Sequence, residues 1–252
     1  MINRRFQEKV AIVTGSAGAG IGQAAVRAFA REGAKVVVSD VSPERVARVS
    51  EDIKSSGAEV LGVQCDVSNL AQVKAMVQQT LELWGRIDIL VNNAAAYTLC
   101  EFVELTDELW NQAIDSCLKG TFYCSRAVLP AMIKQRYGRI INFSSGAVLQ
   151  GIPLHAHYAS AKAGIIGLTR SLSTEVGKHN VTVNCVCPVL IWNKGTGKNF
   201  PKGYFERIIE EIPMGRPGTP EEAAALVLFL ASDDASYLTG NTITIGGGKL
   251  SL

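Results

Sequence analysis

VAIVTGSAGAGIGQAAVRAF, residues 10–29, decides the fold of this 252-residue chain. A β-branched run meets glycines at 15, 18, 20 and 22, and a segment with helical spacing follows. Small residues at such a turn let backbone approach a pyrophosphate, and the helix N-terminus offers free N–H groups and a positive dipole. Outward from this turn, short β-branched runs recur at 35–39, 59–64, 87–91, 139–143, 181–186 and 242–245. Between most of them lie helical patterns, several ending at a glycine, as at Gly33, Gly57 and Gly85. Strand, helix, strand at this pitch predicts a single doubly wound α/β domain over 1–252, with a mainly parallel sheet of about seven strands. The least regular stretch, 188–219, holds four of the eight prolines and predicts a mobile flap around 189–212.

Composition narrows the function. Hydrophobic residues make up 47% and charged residues 19%, enough for a sizeable core and too apolar for a disordered chain. Lysine and arginine total 25 against 23 acidic residues, so nothing marks a nucleic-acid or membrane surface. The longest clean apolar run covers only 223–231, whereas a spanning helix needs ~20 residues. The first residues, MINRRFQEKVAIV, carry no secretory pattern. Six cysteines lack paired CxxC motifs, which predicts buried free thiols, a reducing cytoplasm and no metal site. Cys185 and Cys187, two apart on a strand, should share a face.

Asp40 ends the second strand, 18 residues beyond Gly22. A carboxylate there can accept hydrogen bonds from both adenosine ribose hydroxyls and would repel a 2′-phosphate, which predicts NAD as cofactor. The bland alternative makes Asp40 a loop or capping carboxylate together with Ser42. Tyr158 and Lys162, four apart on a helix, face the same side. A phenol near a lysine cation and an oxidised nicotinamide can shed its proton more readily than in water. Ser144-Ser145 closes a strand 13 residues before Tyr158, so Ser145 can hold a reacting oxygen while Tyr158 moves the proton.

The stretches TGSAGAGIG (14–22), CDV (65–67), NNAA (92–95), GRIINFSS (138–145), YASAK (158–162) and 214–240 together resemble the short-chain dehydrogenase/reductase family over essentially the whole chain. The resemblance implies a Rossmann-type fold, a nicotinamide cofactor and a homotetramer or homodimer. It implies catalysis by Ser145, Tyr158 and Lys162, with Tyr158 and Lys162 also touching the cofactor. Gly15, Gly18, Gly20, Ile21, Asp40, Asp66, Val67, Asn93 and Ile191 complete the implied cofactor contacts. The activity implied is NAD-dependent interconversion of a secondary alcohol and a ketone. Reduction of 3-oxoacyl thioesters and a nucleotide-binding regulator with little turnover are the alternatives.

The chain departs from the family pattern in several places. The glycine turn has an extra residue, NNAG is NNAA, and the last turn lacks its acidic residue. Cys117 stands where an asparagine completes the catalytic tetrad, and a thiol cannot make the same amide hydrogen bonds. Water filling that space would let Cys117→Asn keep or raise the rate. Val189 replaces a flap glycine, so the flap is expected to start differently. His155 and His157 are read as pocket or loop side chains, and Lys194, Lys198 and Lys202 as loop-solvating charges, with an anion-binding role in the closed flap as the sharper alternative.

Overall fold

The computed structural model describes residues 4–193 and 204–250. Strands β1 (Val10–Thr14), β2 (Lys35–Asp40), β3 (Val60–Gln64), β4 (Ile89–Asn92), β5 (Gly138–Phe143), β6 (Val181–Pro188) and β7 (Thr242–Ile245) form one sheet. Their order is β3-β2-β1-β4-β5-β6-β7, and every pairing is parallel rather than mainly so. Helices α1 (Ile21–Arg31), α2 (Pro43–Ser55), α3 (Leu70–Trp84), α4 (Asp107–Ala113), α5 (Gly120–Gln135), α6 (Ala147–Gln150), α7 (Ala156–Val176), α8 (Tyr204–Glu210) and α9 (Pro220–Ala231) connect or cover the strands.

Strand periodicity splits the core in two. Ala11 and Val13, Val36 and Val38, and Ile89 and Val91 point into a layer shared with Val26 and Phe29 of α1, Val49 of α2 and Val227 of α9. The alternate residues Ile12, Val37 and Leu90 pack instead with Met76 of α3, Val128 of α5 and Val176 of α7. Strands buried on both faces read as continuous apolar runs, as these do.

Local signals set the helix ends. Ser42 accepts the backbone N–H of Arg45, with Pro43 in the first turn of α2. Asn69 caps α3, which ends at Gly85 in the left-handed region (φ 71°). Thr219 and Glu222 form a reciprocal capping box on α9, and Glu222 also pairs with Arg216. The box satisfies two backbone N–H groups that the start of α9 would otherwise leave unpaired. α4 and α5 are joined by a π-helical turn, Ile114–Lys119, which carries Cys117.

Strand order reverses between β1 and β4, so the loops after these strands diverge and open a crevice at their carboxyl ends. Asp40 ends β2, and Gly15, Asp66, Asn93, Ser145 and Ile191 follow β1, β3, β4, β5 and β6, while Tyr158 and Lys162 stand on α7. Of the expected flap, 189–193 and 204–212 are described, and the latter part contains α8. Lys194, Lys198 and Lys202 lie outside the described residues. No helix among the described residues is long and apolar enough to cross a membrane.

Candidate active site

Two clefts flank the β1–α1 turn. The first, of about 340 Å³, is lined by Ser145, Tyr158, Lys162, Ile21 and Ile191. The second, of about 500 Å³, is lined by Gly15, Gly18, Asp40, Asp66 and Val67. Asn93 and Ala95 line both.

The turn is built for a close ligand. Gly15 has φ 60°, and a Cβ there would stand 2.8 Å from Ala94 Cα, so no side chain fits. Asn93 donates its amide to the carbonyls of Thr14 (3.0 Å) and Gly15 (2.9 Å), clamping the turn from β4. Thr14 Oγ1 accepts the backbone N–H groups of Asn93 and Ala94, each at 3.1 Å. The extra residue of the loop is tied down onto β2. Ser16 N donates to Ser39 O, Ser16 Oγ accepts from Ser39 N, and Ala17 N donates to Asp40 Oδ2. Gly20 caps α1 without a side-chain hydrogen bond, and no acidic residue occupies the first turn. The close backbone and the unoccupied N–H groups at the start of α1 suit an anionic group such as a pyrophosphate.

In the second cleft Asp40 is more heavily engaged than the strand pattern suggests. Its carboxylate accepts from Ala17 N (3.3 Å), Ser42 N (3.2 Å) and Arg45 Nη2 (2.7 Å). Asp40 therefore lines the cleft and also fixes the start of α2, as its alternative reading together with Ser42 expects. Asp66 accepts from the backbone and hydroxyl of Ser68, and Val67 packs against Gly120 of α5.

In the first cleft α7 brings Tyr158 and Lys162 together as their spacing predicts. Lys162 Nζ lies 5.6 Å from the Tyr158 ring centroid and donates to Phe143 O at 2.8 Å. Ser144 is buried and donates to Lys162 O, which ties the end of β5 to α7 and leaves Ser145 facing the cleft. Burial raises the phenol of Tyr158 well above its ordinary value, and the nearby Cys117 thiol adds to this, while a hydrogen bond with Ser145 works the other way. The expected phenolate belongs to the protein with an oxidised nicotinamide bound, and burial opposes it in the chain alone. In the protein without cofactor the group is a protonated acid, because desolvation outweighs the hydrogen bond.

Cys117 is fully buried in an apolar cluster with Ala161, Ile165 and Cys185, and its sulfur meets the Ser116 hydroxyl at 3.7 Å. An asparagine amide there would be short of partners. Cys117→Asn is therefore expected to lower the unfolding free energy by about 1–3 kcal/mol in denaturant titration. Comparing the rate per folded molecule then separates this cost from any effect on proton transfer. Cys185 and Cys187 share a face as expected, and burial pushes their thiols up to about 12 and about 11 beside Lys162. Both stay neutral near pH 7.

Val189 has no positive φ, as expected for a valine in a glycine's place, and its N–H donates to Ile245 O, so the segment continues beside β7. Gly146 and Gly246 leave the room its side chain needs. His155 lines the first cleft, where burial lowers its pKa and keeps the imidazole neutral. His157 is fully buried with Nε2 3.0 Å from Thr98 O. Among the described residues no cluster of acidic, histidine and cysteine side chains could hold a metal.

Two site residues escaped the sequence reading. Tyr97 stacks on Tyr158 with centroids 4.0 Å apart and planes at 23°. No spacing rule links positions on a loop after β4 and on α7. Tyr97→Ala is expected to lower kcat about fivefold, since such a contact is worth about 1 kcal/mol, while Tyr97→Phe keeps the rate. Arg45 could have been suspected from its place one turn past Asp40, across the Ser42 cap.

Comparison with known proteins agrees with this geometry. A family model described as enoyl-(acyl carrier protein) reductase matches residues 15–249. The chain is 39% identical over 248 residues to a subunit of (2S)-[(R)-hydroxy(phenyl)methyl]succinyl-CoA dehydrogenase, BbsD, of Thauera aromatica, covering 97% of each chain. It is 40% identical over 244 residues to the 3-oxoacyl-[acyl-carrier-protein] reductase FabG of Thermotoga maritima, covering 97% of this chain and 98% of that one. A solved structure from Sinorhizobium meliloti 1021, described as a short-chain alcohol dehydrogenase, superposes with a TM-score of 0.92 at 31% identity, covering 98% of each chain. Levodione reductase superposes with a TM-score of 0.91 at 34% identity, covering 97% of this chain and 98% of that one. The chain belongs to the short-chain dehydrogenase/reductase family and is an oxidoreductase built on a Rossmann-type domain.

Proposed function

We propose that this protein interconverts a secondary alcohol and a ketone, with NAD as the preferred cofactor. The observation that carries the reading is the convergence of Ser145, Tyr158 and Lys162 on one cleft beside the glycine turn. When bound, the cofactor supplies or accepts the hydride. Gly15, Gly18, Gly20 and Ile21 would hold its pyrophosphate region, Asp40, Asp66 and Val67 its adenosine end, and Asn93, Lys162 and Ile191 its nicotinamide end. Ser145 orients the substrate oxygen. Tyr158, protonated in the cofactor-free protein, gives its proton to that oxygen in reduction and takes it back in oxidation. Lys162, fixed by Phe143 O, favours the phenolate once the proton has left.

An absorbance assay of nicotinamide turnover over a broad panel of alcohols and ketones tests this reading. Binding of NADH with no turnover on any of them would point to a nucleotide-binding regulator. The 3-oxoacyl-[acyl-carrier-protein] reductases among the relatives favour a second substrate class, 3-oxoacyl thioesters, and an acetoacetyl thioester belongs in the panel. Asp40→Ala is expected to narrow the gap between NADH and NADPH in kcat/KM by about tenfold, because it removes a carboxylate facing the 2′ position. Equal values for the two cofactors in the wild type would sink the NAD preference.

A homotetramer or homodimer accords with the exposed apolar side chains Phe102, Val103, Trp110 and Phe122 around α4 and α5, and light scattering decides between them. A cytoplasmic location accords with six free cysteines, five of them buried.

A further inference from the structure

We propose that the first cleft selects ketones whose carbonyl is attached to a flat, uncharged ring, with Tyr97 and Phe205 reading the ring. The substrate class is then aryl ketones and the matching secondary alcohols. The proposal rests on the reading of this cleft as an alcohol–ketone site, and it names the substrate that reading leaves open.

Aromatic side chains reach this cleft from two directions. Strand β5, which Ser145 follows, lies between β4 and β6. Tyr97 follows β4, whereas Trp192 and Phe205 follow β6, so the two groups come from strands on either side of Ser145. Tyr97 stacks on Tyr158 and lies 5.5 Å from the His155 ring, which meets Tyr158 edge-on at 6.0 Å. Phe205 of α8 meets Trp192 edge-on, with centroids 5.3 Å apart and planes at 89°. These contacts hold the rings in place, and both Tyr97 and Phe205 line the cleft, with Ile152, Leu190 and Ile208 as further apolar wall. A flat ring can make offset-stacked or edge-to-face contacts here that a linear chain cannot.

The charges lining the cleft argue for a neutral substrate. Among the described residues that line it, none is Asp, Glu or Arg. Lys162 is its one ammonium there, 2% exposed and donating to Phe143 O, and the proton chemistry already uses it. His155 Nδ1 lies 2.7 Å from Pro153 O, and burial keeps the imidazole neutral. A carboxylate carried on the ring would lose its hydration in this cleft with no second counter-charge among those residues. The volume of about 340 Å³ is at the low end for small-molecule sites. It must also take the nicotinamide end, which favours a single ring over a fused polycycle.

Steady-state reduction of acetophenone, a linear methyl ketone with the same number of carbons, acetophenone carrying a para carboxylate, and an acetoacetyl thioester tests the proposal. In the wild type kcat/KM for acetophenone is expected to exceed that for the linear and the carboxylated ketone by at least about tenfold. The ratio of acetophenone to linear ketone should fall at least about threefold in Tyr97→Leu and in Phe205→Leu, which keep apolar bulk and lose the ring. In Tyr97→Phe it should stay near the wild-type value. A ratio of two substrates within one variant does not depend on the folded fraction or on any general effect on Tyr158. A wild type that prefers the linear or the carboxylated ketone, or a ratio unchanged in both leucine variants, would overturn the aryl assignment. Turnover of any other ketone without turnover of acetophenone would overturn it too, and would leave the alcohol–ketone reading intact. No turnover on these ketones or on the broad panel would overturn that reading, and the proposal with it.

Discussion

Tyr158→Phe is expected to lower kcat by about 10²–10⁴-fold, the usual contribution of a positioned acid or base. NADH affinity should change little. The substitution removes one oxygen from the first cleft and leaves the ring, so stacking on Tyr97 at 4.0 Å and packing against the Cys117 cluster persist. Only the hydrogen bond with Ser145 is lost, worth about 1 kcal/mol of stability. The pH profiles of the wild type should carry the sign of the raised phenol. Reduction needs the protonated form and should hold its rate through neutral pH, falling only in strong alkali. Oxidation needs the phenolate and should climb with pH over the same range. Loss of both limbs in Tyr158→Phe would fix the proton carrier. Retention of most activity would mean that another group carries the proton.

Lys162→Ala should lose turnover by a comparable factor and also weaken NADH binding, at least about tenfold, because the residue serves both the proton and the cofactor. Its ammonium is buried and donates to Phe143 O, and among the described residues it has no carboxylate partner. A buried cation of this kind contributes little to stability, so its retention points to function. Truncation does leave a cavity, which costs stability by itself. Lys162→Met fills most of that volume and isolates the loss of charge. Equal kinetic defects in the two variants, with a higher melting temperature for Lys162→Met, would assign the effect to the ammonium. Normal NADH binding in both would remove Lys162 from the cofactor site.

The two variants divide the site along a line that the sequence itself drew. Tyr158 and Lys162 were paired by helical spacing, and the structure places the ammonium 5.6 Å from the phenol ring. Their proton chemistry was not legible in the same way. Spacing sets a lysine cation beside the phenol, whereas the burial of Tyr158 against the Cys117 cluster makes desolvation the larger influence in the protein without cofactor. Likewise Asp40 was found from its place at the end of β2, but not its ion pair with Arg45, which depends on how α2 leaves the Ser42 cap.

The amino-acid sequence by itself determined the seven strands, the helices α1, α2 and α3, the helix that carries Tyr158 and Lys162, and the glycine turn, because alternation, helical period and caps act over a few residues. It also determined which residues stand at the carboxyl ends of the strands, since a parallel sheet puts every such loop on one edge. Tertiary structure alone decided that Tyr97 covers Tyr158, that Cys117 sits among apolar side chains on a π-helical turn, and that Val189 is accommodated by two glycines distant in the chain. These contacts join segments tens of residues apart. Burial and charge there depend on every neighbour at once, and no local pattern encodes that sum.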